Sequence, residues 1–308
     1  MLATGGPSPD VWAFRPHPEV WVLVAGLIAG YVYLVRVVGP EAVGRGVPAV
    51  TRRNLVAFVA AIALLWFAAD WPLHDLAEQY LYSAHMVQHM VLSYFVPPLA
   101  LLATPEWLLR VLFGDGRVYR VVRWFARPVV AGVLFNGVVM ITHVPALVNA
   151  SAQNGIVHYS LHVLIVVSSL LMWIPVCGPL PEARISAAGT MIYLFAQSFV
   201  PTVPAGWLTF AEGVVYGHYD HAVRVWGIGV TADQQLAGAI MKIGGSIFLW
   251  AIVVYLFFGR FMKNWEQQNA FRRVRMPDAE VTGHDEEVLT FDAVARSFSQ
   301  STAPTEPR

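Results

Sequence analysis

A chain of 308 residues that is 56% hydrophobic, only 13% charged and formally neutral is too apolar for an ordinary soluble domain. Its single cysteine, Cys177, excludes an intrachain disulfide and any thiolate cluster, so a metal site would need imidazole, thioether or carboxylate donors. Seven stretches are long enough to cross about 30 Å of hydrocarbon, near 19–39, 54–70, 79–103, 128–148, 157–177, 187–207 and 236–260. None of them alternates with period two, which favours helices over a barrel. The expectation is an all-α, polytopic membrane protein of seven transmembrane helices.

The charges are unevenly placed. Arg45, Arg52 and Arg53 lie in the first connection, with Arg36 just before it, and Arg110, Arg117, Arg120, Arg123 and Arg127 in the third. Arg184 lies in the fifth, and Arg260, Lys263, Arg272, Arg273 and Arg275 follow the last span. The second and fourth connections carry no Lys or Arg, the sixth carries Arg224, and the N-terminal tail Arg15. Positive loops stay in the cytoplasm, which puts the N-terminus outside and the C-terminus inside. Three regions follow: a short extracytoplasmic tail (1–18), a membrane domain (19–261) and a polar, largely disordered cytoplasmic tail (262–308). In that tail, Glu286 to Phe298 could form a short helix against a partner. No removable leader is expected, the first helix serving as its own insertion signal.

In chain order, the tail brings His17, and the first helix only interfacial aromatics such as Trp21, Tyr31 and Tyr33. The second helix stops at Asp70-Trp71-Pro72, and the loop after it holds His74, Asp75 and Glu78. The third opens with His85-Met86-Val87-Gln88-His89-Met90. Its two imidazoles stand four positions apart, on the same side of a helix and about one turn from each other, so they can converge on one ion. Pro97 and Pro98 should break or kink the far half of this helix. The fourth helix ends at Asn136, Met140 and His143; the fifth opens with His158 and His162, again at i, i+4. A long loop after the sixth helix carries Glu212, His218, Tyr219, Asp220 and His221, and the seventh begins near Asp233-Gln234-Gln235 with Lys242 further in.

The expected topology turns scattered histidines into a pattern. Five of them, His85, His89, His143, His158 and His162, lie on three helices near the outer boundary of the membrane, where ionisable groups are costly and usually face a bundle interior. They are the candidate metal ligands. Their surplus over what one ion needs points to two ions or to a transfer path. Auxiliary candidates are Met86, Met90, His74, Asp233, Lys242, His218 and His221. Met86 and Met90 are core filler by default, and Lys242 reads as a structural cation paired with Asp70 or Asp233. Imidazole with thioether nearby and no cysteine tilts the choice of metal toward copper, and neutral donors suit the monovalent ion, Cu(I). Haem between facing helices, held by His85 or His89 with His158 or His162, is the competing cofactor.

The block Tyr82-Ser83-Ala84-His85-Met86-Val87-Gln88-His89-Met90, with Pro97-Pro98-Leu99, Thr104-Pro105, His143-Val144-Pro145-Ala146-Leu147, His158, His162, Trp173-Ile174-Pro175-Val176 and Asp233-Gln234-Gln235-Leu236-Ala237-Gly238, resembles the CtaG-like cytochrome c oxidase assembly factors over about residues 54–260. That resemblance implies a non-enzymatic, multi-pass protein of the bacterial plasma membrane. It would bind copper and deliver it to the catalytic subunit of cytochrome c oxidase in the respiratory chain. His85, His89, His143, His158, His162 and Asp233 are the shared positions. A metallochaperone of this kind would have the oxidase subunit, an extracytoplasmic copper carrier and the lipid bilayer as partners, with self-association open and no nucleic acid. A metal-free scaffold for an oxidase subunit and a haem redox protein are the rival readings.

Overall fold

The computed structural model describes residues 10–44, 46–114, 116–221 and 224–275, with positions 291, 295, 296 and 299. Expectations for residues 1–9, for Arg45 and for most of the tail beyond 275, including most of the stretch from Glu286 to Phe298, lie outside the described residues. Met1–Phe258 form one compact unit and Gly259–Arg308 a second, whose described part is helical to Arg275.

All regular structure among the described residues is helical. The helices are α1 (Pro18–Val43), α2 (Arg52–Ala69), α3 (Leu73–Gln79), α4 (Tyr82–Ala103), α5 (Glu106–Phe113), α6 (Arg117–Phe125), α7 (Pro128–Thr142), α8 (Pro145–Gln153), α9 (Gly155–Cys177), α10 (Ala187–Gln197), α11 (Thr202–Thr209) and α12 (Val230–Ala270). Local chemistry sets their starts. Thr51 and Asn54 form a reciprocal capping box on α2, Asn154 accepts from the amides of Ile156 and Val157 at the start of α9, and Ser186 accepts from Gly189 at the start of α10. Pro18, Pro128 and Pro145 open their helices, where a missing N–H costs nothing.

Five helices are long and apolar enough to cross a membrane (α1, α2 with α3, α4, α9 and α12), or six if α6 and α7, bent by 70° at Ala126–Arg127, count as one span. The chain is a multi-pass membrane protein. Among the described residues, seven continuous spans are not found. The expected span at 187–207 divides into α10 and α11, because Pro201 has no N–H for the carbonyl of Gln197 and the chain passes Ser198–Val200 in tight i to i−3 turns. Likewise α7 stops at Thr142, short of Pro145, instead of running to 148.

Helix α4 is the centre of the bundle: 67% of its most apolar window is buried, against 11% for α1. Between apolar helices in lipid there is little hydrophobic drive, so close packing and hydrogen bonds decide which helices meet. Pro97 shows how. Its lack of an N–H frees the carbonyl of Ser93, and α4 passes this point in a widened π turn, Val91–Phe95, before continuing to Ala103. The freed carbonyl accepts from Trp173 Nε1 at 3.0 Å and from the hydroxyl of Ser169, both on α9. The predicted kink is therefore a joint between two helices. At the opposite flank of α4, α11 approaches α12 closely: a Cβ on Gly238 would meet the carbonyl of Ala205 and the amide of Thr209, each at 2.7 Å.

Candidate metal centre

Helix α4 begins at Tyr82 without a capping side chain of its own. The cap comes from α12 instead. Asp233, fully buried, accepts from the amide of Tyr82 (2.8 Å), the amide of Ser83 (3.1 Å) and the hydroxyl of Ser83 (2.5 Å). A carboxylate at a helix N-terminus satisfies orphan donors and meets the positive end of the helix dipole. Arg224 stands 3.9 Å away. The next residue, Gln234, accepts from the amides of Val215 and Tyr216 and donates to the carbonyl of Tyr216. The Tyr216 hydroxyl, whose pKa burial pushes up to about 12, in turn donates to the carbonyl of His143. The Asp233-Gln234 pair thus sets the first turn of α4 and the loop over it.

With that turn fixed, His85 and His89 stack along one side of α4, ring centroids 4.3 Å apart. His162 of α9 faces them at 5.9 and 5.1 Å. One ring nitrogen from each of the three lies within 4.8 Å of the other two. His85 Nδ1, both nitrogens of His89, and His162 Nε2 are shielded from solvent and have no hydrogen-bond partner among the described residues. A buried polar atom left unpaired costs roughly 1–3 kcal/mol. Three rings that each bring an unpartnered nitrogen to one place call for a polar occupant there, water or an ion. Around a tetrahedral ion at roughly 2.0–2.1 Å, donors stand about 3.4 Å apart, so the three rings fit one ion after a modest inward rotation.

The remaining candidates divide around this triad. His158, one turn from His162 with rings 4.2 Å apart, turns its Nε2 to within 2.5 Å of Glu78 Oε1. His143 is buried and donates from Nδ1 to the carbonyl of Val139 at 2.7 Å, which leaves Nε2 as a free acceptor without a described partner. His74 lies behind α4. Its Nδ1 accepts from the amide of Gln88, which also donates to the carbonyl of Ala68, so the proton sits on Nε2 and points to Glu78 at 3.2 Å. Glu78 therefore joins His74 and His158. It went unassigned in the sequence reading, although the i, i+4 spacing of His74 and Glu78 on α3 was the available signal. Outside the spans, His17 rests on Asp75 (3.2 Å) and Glu19 (3.3 Å). Burial opposes its charge, and the two carboxylates outweigh it, holding the pKa above the ordinary histidine value.

A cavity of about 740 Å³ reaches His85, His89, His158 and His162 and is flanked by Glu78, His218 and His221. His218 bonds the carbonyl of Glu78 at 3.1 Å, and His221 lies 5.8 Å from it, ring to ring. A second, almost wholly apolar groove of about 480 Å³ runs beside α1, α2 and α9, and His162 lines it as well. Met86 and Met90 point away from the triad into the core, Met90 against Gly244 and Gly245 of α12. Lys242 has no carboxylate partner among the described residues. It donates to Thr202 Oγ1 (2.6 Å) and the carbonyl of Ser198 (3.3 Å), at the break between α10 and α11 whose carbonyls need donors. Asp70, the other expected partner, is taken by Trp21, Trp66 and the amide of Trp71.

A bundle of apolar helices that converges imidazoles from two of them inside a cavity defines a polytopic membrane protein with a buried histidine cluster. More particularly, the chain belongs to the cytochrome c oxidase caa3 assembly factor family (Caa3_CtaG), whose profile matches residues 24–263. An uncharacterised protein of Mycobacterium bovis and one of Mycobacterium tuberculosis are each 26% identical to it over 299 residues, covering 91% of this chain and 43% of the relative. An uncharacterised protein of Mycobacterium leprae is 24% identical over 312 residues, covering 94% and 45%. The chain spans less than half the length of these curated relatives. No solved structure matches it.

Proposed function

We propose that the protein assists assembly of a haem–copper cytochrome c oxidase by holding copper, as Cu(I), between His85, His89 and His162 and passing it to the oxidase's catalytic subunit. The observation that carries this reading is the convergence of three imidazoles from two helices with four shielded, unpartnered nitrogens. The family's description as an assembly factor for the caa3 oxidase supplies the client. Neutral nitrogen donors accept a monovalent ion at low dielectric with less desolvation than a divalent one. Glu78 is the one carboxylate among the described residues lining the cavity, and it balances the ion's charge through His158. Transfer needs ligand exchange. His158, leaving Glu78, is the nearest spare donor, His143 Nε2 is a second, and His218 and His221 receive the ion at the cavity mouth from an extracytoplasmic carrier. Exit is lateral, past His162 and along the apolar groove. The arginine distribution orients this end outward in the plasma membrane of a bacterium. The protein makes and breaks no covalent bond in this role and is not an enzyme.

The test is metal content and visible spectrum of the detergent-purified protein beside a His85→Ala/His89→Ala variant. Copper retained by the native protein and lost from the variant is the expected result. A Soret band would reassign the site to haem. Neither metal nor haem after reconstitution with Cu(I) would leave a metal-free scaffold as the function.

A further inference from the structure

At the end of the molecule opposite the histidines, α6 (Arg117–Phe125) has no buried residue. Advancing roughly 100° per residue, it gathers Arg117, Arg120 and Arg123 on one side, with Trp124 between Arg117 and Arg120, and Val118, Val121, Val122 and Phe125 on the other. Val118 and Val121 are 58% and 54% exposed and Trp124 beside the arginines 48%, so the rest of the protein leaves these side chains uncovered, while Val122 is half-buried toward Leu109 and Ile174. The helix meets α7 at 70°. With α7 crossing the bilayer, α6 lies close to the membrane plane, at the depth where tryptophan and arginine are both at home.

Arg117 and Arg120 make no hydrogen bond or ion pair among the described residues, whereas Arg123 acts on Glu182 through its charge. Nearby carboxylates are taken up elsewhere: Glu106 by Arg110 at 2.7 Å, Glu182 by Arg110 at 3.4 Å and by the Tyr119 hydroxyl at 3.0 Å. Neither Arg117 nor Arg120 has a carboxylate partner among the described residues. They line, with Val121, Trp124 and Phe125, a shallow groove of about 420 Å³. A guanidinium presents a planar fork of donors that matches phosphate oxygens. Two forks beside an apolar, aromatic wall fit a ligand that is anionic at one end and hydrocarbon at the other.

We propose that α6 lies in the membrane interface and that Arg117 and Arg120 bind the phosphodiester of an anionic phospholipid, whose acyl chains cover Val121, Trp124 and Phe125. An acidic protein segment would satisfy the arginines but not the apolar wall, and the geometry favours the lipid. This assignment is independent of metal binding at the other end.

The experiment is native mass spectrometry of the full chain with equimolar phosphatidylglycerol and phosphatidylcholine, for the native protein, Arg117→Gln/Arg120→Gln, and Arg52→Gln/Arg53→Gln as a charge-matched control. The native protein and the control should retain phosphatidylglycerol preferentially. The Arg117→Gln/Arg120→Gln variant should lose on the order of tenfold to thirtyfold in that preference with its melting temperature in zwitterionic lipid unchanged. An equal preference in all three proteins would overturn the proposal. So would displacement of the bound lipid by a soluble polyglutamate peptide, which would assign the face to an acidic protein.

Discussion

The two ends of this molecule treat cationic and cation-binding side chains in opposite ways. At one end, imidazoles of α4 and α9 are drawn into the bundle and their nitrogens are shielded without partners. At the other, guanidiniums of α6 are pushed out of the protein, and the apolar side chains beside them are left uncovered too. The difference follows from pKa and hydration. A neutral imidazole can enter a low-dielectric bundle at the cost of its hydrogen bonds, whereas a guanidinium stays charged and must snorkel to water or phosphate. An unsatisfied donor set inside reads as room for a guest ion; one outside reads as contact with the surrounding membrane.

The largest expected effect would break the first half of that contrast. His85→Ala/His89→Ala removes two of three donors and should abolish copper retention and oxidase assembly while leaving helical content by circular dichroism unchanged. Next comes Asp233→Ala, which strips the cap from α4 and leaves the amides of Tyr82 and Ser83 buried and unpaired. A loss of about 1–3 kcal/mol per orphaned donor is expected, seen as a lower melting temperature with metal affinity falling alongside. Wild-type stability in that variant would mean the cap is replaceable. Glu78→Gln keeps the shape and removes the charge that joins His74 and His158. As a partner held one residue away from the ion, it should cost roughly tenfold to a hundredfold in metal affinity; unchanged affinity would reduce the pair to packing. The smallest effect concerns His17. Because its folded pKa is raised, its tie to Asp75 and Glu19 contributes fully below about pH 6.5 and is lost as pH rises through the raised value. Protease sensitivity of the N-terminal segment should therefore increase above that pH, and a flat profile would remove the tie from the account.

How much of this was legible in the sequence depends on how local the signal is. The i, i+4 spacing of His85 and His89 announces a shared helix face, and their stacking follows from it. The same spacing in His158 and His162 cannot say which of the two turns toward α4, because that depends on how α9 rotates when Trp173 and Ser169 seize the carbonyl of Ser93. Asp233 carried a motif but no readable role, since its partners Tyr82 and Ser83 lie some 150 positions away along the chain. The break within the expected sixth span was not legible because hydropathy counts Pro201 and Pro204 as mildly polar residues, whereas the backbone counts Pro201 as a missing donor. Lys242 was assigned a carboxylate on charge alone; what draws it is the pair of oxygens at the break that Pro201 creates.

The joint at Ser93 has a mechanical consequence. It fastens α4 to α9 one turn beyond His89 and nearly two turns beyond His162, on the side away from the cavity mouth. Above that pin no hydrogen bond among the described residues joins α4 directly to α9, the Asp233 cap holding α4 to α12 instead, so the two helices can behave as tongs. Any separation of the helices must widen from the pin toward Tyr82 and Gly155, so the jaws that hold His85 against His162 open first where an incoming ion would enter, and His89, nearest the pin, releases last.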